Sequence, residues 1–177
     1  MNEYLYTTLE LAYIINSYNI DIENCIDLLQ NIYLYDNPFI QLEYRHDQKK
    51  FILAVMDKLN YISDPEKYKI EQKEIKKDMD DFGIKSKLVT DEIEHSFSHF
   101  VFKELRIRIQ YLNKGGLSKM KLSTLLSKFN AKRRSQLLVS EINNCFLFYH
   151  ICPTLKDNKP CDISKVKHND IIYLRAI

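Results

Sequence analysis

The sequence predicts a mainly α protein, with a helical N-terminal region, a long connecting helix and a C-terminal module that closes on a small β-hairpin. Three observations carry this prediction. Apolar residues recur at i, i+3, i+4 and i+7 through much of the chain, the spacing that one face of an α-helix requires. Only three Gly and four Pro occur in 177 residues, too few for a sandwich or barrel built on many tight turns. Charge, finally, is segregated. Residues 1–100 carry 11 Lys or Arg against 19 Asp or Glu, and residues 101–177 carry 15 against 5. That asymmetry divides the chain into an acidic region (1–88), a connecting helix (89–116) and a basic module (117–177). It also leads us to expect a polyanion as the partner of the basic part. The alternative is that the two parts attract one another.

With 45% hydrophobic and 28% charged residues, the chain is expected to fold rather than remain disordered. Its length allows one sizeable core or two small ones. The longest apolar run is far short of 18 residues, so no membrane span is expected. Met1-Asn2-Glu3 lacks the basic start of a secretory signal, and a cytoplasmic location is the expectation. Cys25, Cys145, Cys152 and Cys161 form no Cys-x-x-Cys pair. The first two lie on apolar stripes and read as buried thiols. Cys152 and Cys161 flank the hairpin loop, where a reducing compartment would keep them apart.

In chain order, residues 3–18 read as a helix with Leu5, Leu9, Ala12 and Ile15 near one stripe. Asp21 is the N-cap of a second helix carrying Ile22, Ile26, Leu29 and Tyr33 inward, and Asp36-Asn37-Pro38 ends it. Residues 39–44 alternate loosely, as a short strand or an extended connector would. From His46 to Leu59 a third helix turns Phe51, Ile52, Val55, Met56 and Leu59 inward. The many tyrosines of this region suit core and rim positions, where a ring is buried and its hydroxyl stays wet; as a docking platform they would meet protein. Glu66 to Asp81 interleaves Glu and Lys with sparse apolar positions and reads as a solvated surface helix or connector. Thr90-Asp91-Glu92-Ile93 is a helix start. From it a stripe of Ile93, Phe97, Phe100, Val101, Leu105, Ile109 and Leu112 runs to Asn113-Lys114-Gly115-Gly116. Arg106 and Arg108 open the basic part of the chain.

In the last third, Ser118 is the expected cap of a short helix with Leu122, Leu125, Leu126 and Phe129 on one stripe. Asn130 is placed to end it in the left-handed conformation. A longer helix over Arg133–Asn144 follows, with Leu138, Ile142, Cys145 and Tyr149 inward, and then a segment bearing Pro and Lys. Helix, turn, helix and hairpin is the order of a helix-turn-helix with a wing. The pattern of Leu122, Leu125, Leu126 and Phe129, the turn Asn130-Ala131-Lys132-Arg133-Arg134, Leu138 and Ile142, and the closing Asp170-Ile171-Ile172-Tyr173-Leu174-Arg175 resembles winged helix-turn-helix domains of bacterial regulatory and defence-associated proteins. The resemblance covers about a third of the chain.

The polar face of the second helix carries Arg133, Gln136, Ser140, Asn143 and Asn144, side-chain types that hydrogen-bond base edges in a major groove. Lys132 and Arg134 at the helix start, with Lys156, Lys159, Lys165 and Lys167 on the wing, are expected on phosphates. The expectation is therefore a non-enzymatic protein, regulator or accessory factor, that binds double-stranded DNA, with a protein partner or a second copy meeting the acidic Tyr-rich region. The alternative is a protein-interaction module, such as a mobile-element inhibitor or an accessory subunit of a nucleic-acid enzyme.

Catalytic signals are absent from the sequence. There is no Gly-rich phosphate loop and no nucleophile motif. His95 and His99 stand at i and i+4 with Glu92 nearby, a spacing that can chelate a metal, but the general-base Glu of the His-Glu-x-x-His pattern is missing and exposed histidines are the expectation. Arg45-His46 beside Asp47 offers only a dipeptide toward RNA cleavage. No cofactor or metal is expected.

Overall fold

A computed structural model of the protein describes residues 5–66 and 97–177. The chain divides between residues 94 and 95 into two compact units. The described residues are mainly helical, with one three-stranded antiparallel sheet. The charged segment from Glu66 to Asp81, the start signal at Thr90, and Glu92, Ile93 and His95 lie outside the described residues, apart from Glu66 itself.

The N-terminal unit contains helices α1 (Thr8–Ser17), α2 (Ile22–Tyr35) and α3 (Gln48–Ser63). Each starts where a short oxygen-bearing side chain satisfies an orphan amide. Thr7 accepts from the Glu10 amide at 3.1 Å while the Glu10 carboxylate accepts from the Thr7 amide at 2.9 Å, a complete capping box. Asp21 and Asp47 accept from the amides of Asn24 and Lys50, both at 2.9 Å. Leu11, Ile14, Ile15, Leu29, Ile32, Ile40, Phe51 and Val55 make the core. Thr7→Ala is expected to cost about 1 kcal/mol. Urea denaturation checks this, with Thr7→Ser as the near-neutral control; equal losses in both variants would sink it.

Three expectations are corrected here. The first helix begins at Thr8 rather than Glu3, because Tyr6 is extended: it bridges Ile40 in parallel and its hydroxyl donates to buried Asp36 at 3.2 Å. In α2 the buried stripe is Cys25, Leu28, Leu29 and Ile32, whereas Ile22 is exposed. The side of the helix that meets the core is rotated from the one the sequence suggests. Residues 39–44 form no strand. Two 3₁₀ turns, Asn37–Phe39 and Leu42–Tyr44, flank Ile40 and Gln41, and of these Ile40 is extended and bridges Tyr6. Arg45 donates to the carbonyls of Ile40 (2.7 Å) and Pro38 (2.6 Å).

In the C-terminal unit the order is α4 (Phe97–Ile107), a π turn (Arg108–Leu112), β1 (Leu117–Lys121), α5 (Leu122–Ser127), α6 (Gln136–Phe148), β2 (Ile151–Thr154) and β3 (Ile171–Ala176). The sheet order is β1-β3-β2, antiparallel throughout, with Lys119 opposite Tyr173 and Thr154 opposite the same Tyr173. The described part of the expected connecting helix is integral to this unit's core. Phe102 of α4 meets the rings of Phe146 edge-on at 5.0 Å and of Tyr149 stacked at 6.1 Å. Leu105, Ile109, Leu122, Leu125, Ile142, Ile172 and Leu174 close around them.

Residues 117–121, expected to lead into a helix capped by Ser118, are a strand. Gly115 and Gly116, at φ +86° and +61°, take a left-handed turn that suits glycine and bring Leu117–Lys121 alongside β3. Ser118 is buried and accepts from Arg108 Nη2 at 2.9 Å. The helix that follows needs no side-chain cap, because its Leu122 and Ser123 amides donate to the carbonyls of Asp170 and His168.

Candidate nucleic-acid interface

The turn between α5 and α6 forms as its residues dictate. Asn130 is left-handed (φ +53°), which an Asn tolerates well, and the Ala131 amide returns to the Leu126 carbonyl at 3.1 Å. Ser135 then caps α6 by accepting from the Leu138 amide at 3.1 Å. Arg133 and Lys132 thus lie in the bend before the helix rather than on it, and both are exposed. Gln136, Ser140 and Asn143 fall at i, i+4 and i+7 and face solvent, with Asn144 beside them.

Arg134 does not face outward as expected. Its Nη1 donates to the carbonyls of Ile163 and Val166, each at 2.7 Å. Ile163 is fully buried and Val166 nearly so. The guanidinium therefore clamps the β2–β3 connection (residues 155–170) against the helix turn. That connection is no simple hairpin. It makes a tight turn at 155–159, where Asp157 and Asn158 are left-handed and the Leu155 amide meets the Lys159 carbonyl at 2.8 Å. It then returns to cap α5. Arg134 holds residues 163 and 166, and the exposed Lys165 and Lys167 are the chain neighbours of Val166 on either side. Lys156 and Lys159 are exposed on the tight turn.

Asp162 shapes this return loop. Its carboxylate accepts from the Ser164 hydroxyl (2.5 Å) and amide (2.9 Å) and pairs with Lys165 Nζ at 3.0 Å. These hydrogen bonds, the Ser164 hydroxyl first, pull its pKa from 3.8 down to about 2. A depressed folded value means that the contribution is present above the unfolded value and disappears as pH falls through the window from roughly 4 to 2. A carboxyl titration followed by NMR should find the Asp162 midpoint near 2, and Ser164→Ala should move it up. A midpoint near 4 in the unaltered chain contradicts the loop geometry.

Other cations that the charge count assigned to a ligand surface are used inside the unit. Arg106 is buried and donates to the Tyr149 carbonyl at 2.7 Å, and Lys128 pairs with Glu104 at 2.9 Å. Conversely, sequence reading passed over Lys119, Lys121 and Arg175. The register puts them on the outward face of the sheet, all exposed. Their signal was the alternation of Leu117-Ser118-Lys119-Met120-Lys121, legible only once this stretch is a strand.

The outward side of α6 also has an apolar character. Leu137 is 84% exposed and Leu147 78% exposed, and Phe148 is partly exposed near the C-terminal end. Glu141 accepts from Ser98 of α4. His99, expected to face solvent, is half-buried with Nδ1 3.1 Å from the Tyr149 hydroxyl. Arg45 and Asp47 are likewise occupied, the one by backbone carbonyls and the other as the cap of α3. Among the described residues no group of three or more His, Cys, Asp or Glu is placed to hold a metal, and no helix is long and apolar enough to cross a membrane. Cys25 and Cys145 are buried free thiols as expected, and Cys152 and Cys161 are half-buried and free. Burial pushes Cys145 and Cys161 up to about 11.

Comparison of the chain with family models, with curated proteins and with solved structures finds no match in any of the three.

Proposed function

We propose that residues 95–177 form a winged-helix-like module that binds double-stranded DNA without catalysis. The α6 helix enters the major groove and the lysines of the return loop lie on the backbone. One observation carries this reading. Exposed Lys132 and Arg133 directly precede a helix whose Gln136, Ser140 and Asn143 are exposed, and Arg134 beside them ties down the loop segment 163–166, which is flanked by exposed Lys167 and contains exposed Lys165. Cations at a helix start set register on phosphates, and outward amides and hydroxyls read base edges. The order helix, strand, helix, helix, strand, strand, with β3 between β1 and β2, agrees with the resemblance to winged helix-turn-helix regulators. Two copies would address half-sites about one helical turn apart. A gel-shift series over salt with random and genomic duplexes tests the proposal; absence of a shift at low salt ends it.

A second reading is favoured by Leu137, Leu147 and Phe148. Exposed apolar side chains at both ends of α6 suit a protein partner, as in an inhibitor or accessory subunit of a nucleic-acid enzyme. Leu34, Tyr35 and Leu42 in the N-terminal unit, each more than 60% exposed, offer such a partner a further surface. A stoichiometric protein that survives nuclease treatment in a pull-down would favour this reading over the first.

A further inference from the structure

The C-terminal unit has a basic concavity whose lining shares no residue with the α6 face. An open groove of about 470 Å³ lies between the π turn and β1, lined by Arg108, Leu112, Asn113, Lys114, Leu117, Ser118 and Lys119. Three of these carry positive charge and none is acidic. We propose that this groove binds a phosphoryl group.

Its construction supports that ligand class. The Arg108 guanidinium is held in place by the Ser118 hydroxyl at 2.9 Å, and Asn113 Nδ2 fixes the floor by donating to the Leu117 carbonyl at 2.9 Å. Anchoring a guanidinium in advance lowers the ordering cost of binding, and its planar fork suits phosphate oxygens. Arg108 Nε is buried with no acceptor among the described residues. A buried polar atom left unpaired destabilises the fold and calls for a functional account. Short π segments recur where a helix is distorted to place a functional side chain. Here the distortion falls at Arg108 itself. Lys114 and Lys119 are exposed at the rim and supply the remaining charge. Beyond the rim, Lys119 shares the outer sheet face with Lys121 and Arg175, on which the described strands place no acid. A phosphoryl group on a small molecule and one in a strand backbone present the same oxygens to this groove, and the groove chemistry recognises both.

The test is an NMR titration of the ¹⁵N-labelled full chain at constant ionic strength, with pyrophosphate in one arm and a short DNA duplex in the other. The expected result is saturable shifts of the Gly115, Gly116 and Lys119 amides and of Arg108 Nε–H. In Lys114→Ala/Lys119→Ala the affinity should fall about tenfold or more. Shifts with pyrophosphate identify a free phosphate compound as a source, and shifts at these positions with duplex identify a strand backbone. Lys132→Ala/Arg133→Ala should leave the pyrophosphate shifts unchanged, so the groove and the α6 interface fail or succeed separately. Absence of saturable shifts in both arms, or shifts that survive the Lys114→Ala/Lys119→Ala change, overturns the proposal.

Discussion

Lys132→Ala/Arg133→Ala is expected to weaken duplex binding about 100-fold near 0.1 M salt and to reduce the slope of log K against log salt by roughly two units. Both side chains are exposed, lie in a bend rather than inside a helix, and contact nothing that holds the fold together. The change should therefore leave the unfolding midpoint where it was. Gel shifts or fluorescence anisotropy over a salt series give the affinity and slope, and a urea curve gives the control. A loss that is the same at every salt concentration would point to base contacts alone. An unaltered affinity would remove α6 from the interface. Gln136→Ala and Asn143→Ala then ask whether the helix reads sequence: each should relax preference at one base pair by about 1–3 kcal/mol while barely changing the salt slope.

The neighbouring arginine should behave in the opposite way. Arg134→Ala is expected to destabilise the C-terminal unit by about 3 kcal/mol, since it removes two charge-assisted hydrogen bonds and strands the carbonyls of Ile163 and Val166 beside a buried apolar pair. Arg134→Lys should recover only part of this, because an ammonium on a flexible stem is a poorer match than a guanidinium to two fixed carbonyls. Urea denaturation followed by tyrosine fluorescence, there being no Trp, measures the cost. Any loss of DNA binding in Arg134→Ala should track displacement of Lys165 and Lys167 rather than a lost phosphate contact, so its salt slope should change less than that of the Lys132→Ala/Arg133→Ala pair. Stability equal to that of the unaltered chain would refute the clamp.

These two adjacent arginines show where reading residues one at a time stops. From sequence, Arg133 and Arg134 are both outward cations, the one assigned to base edges and the other to phosphates. Only the return of residues 160–167 from far along the chain distinguishes them, by offering carbonyls to one and leaving the other in solvent. The same limit explains Arg106 and Arg108, which counted toward a basic surface yet cap the end of α6 and brace β1. It also explains Lys119 and Lys121, which looked like helix residues until β3 paired with their segment.

Part of the local chemistry was legible. The Asp21 carboxylate accepts from the Asn24 amide at the start of α2, as expected of an N-cap. Asn130 stands in the left-handed conformation that ends a helix, and Leu122, Leu125, Leu126 and Ile142 fall on the buried faces their spacing implies. Such features depend on neighbours within about four positions, and sequence alone determined them. What only the tertiary structure decided rests on partners far apart in the chain: the sheet order β1-β3-β2, the capping of α5 by the carbonyls of His168 and Asp170, the burial of Ile163, and the division of the cations between internal braces and open surface. A cation is satisfied equally well by a carbonyl, a carboxylate or water. Its sequence position cannot say which it meets until the fold has brought the acceptors to it.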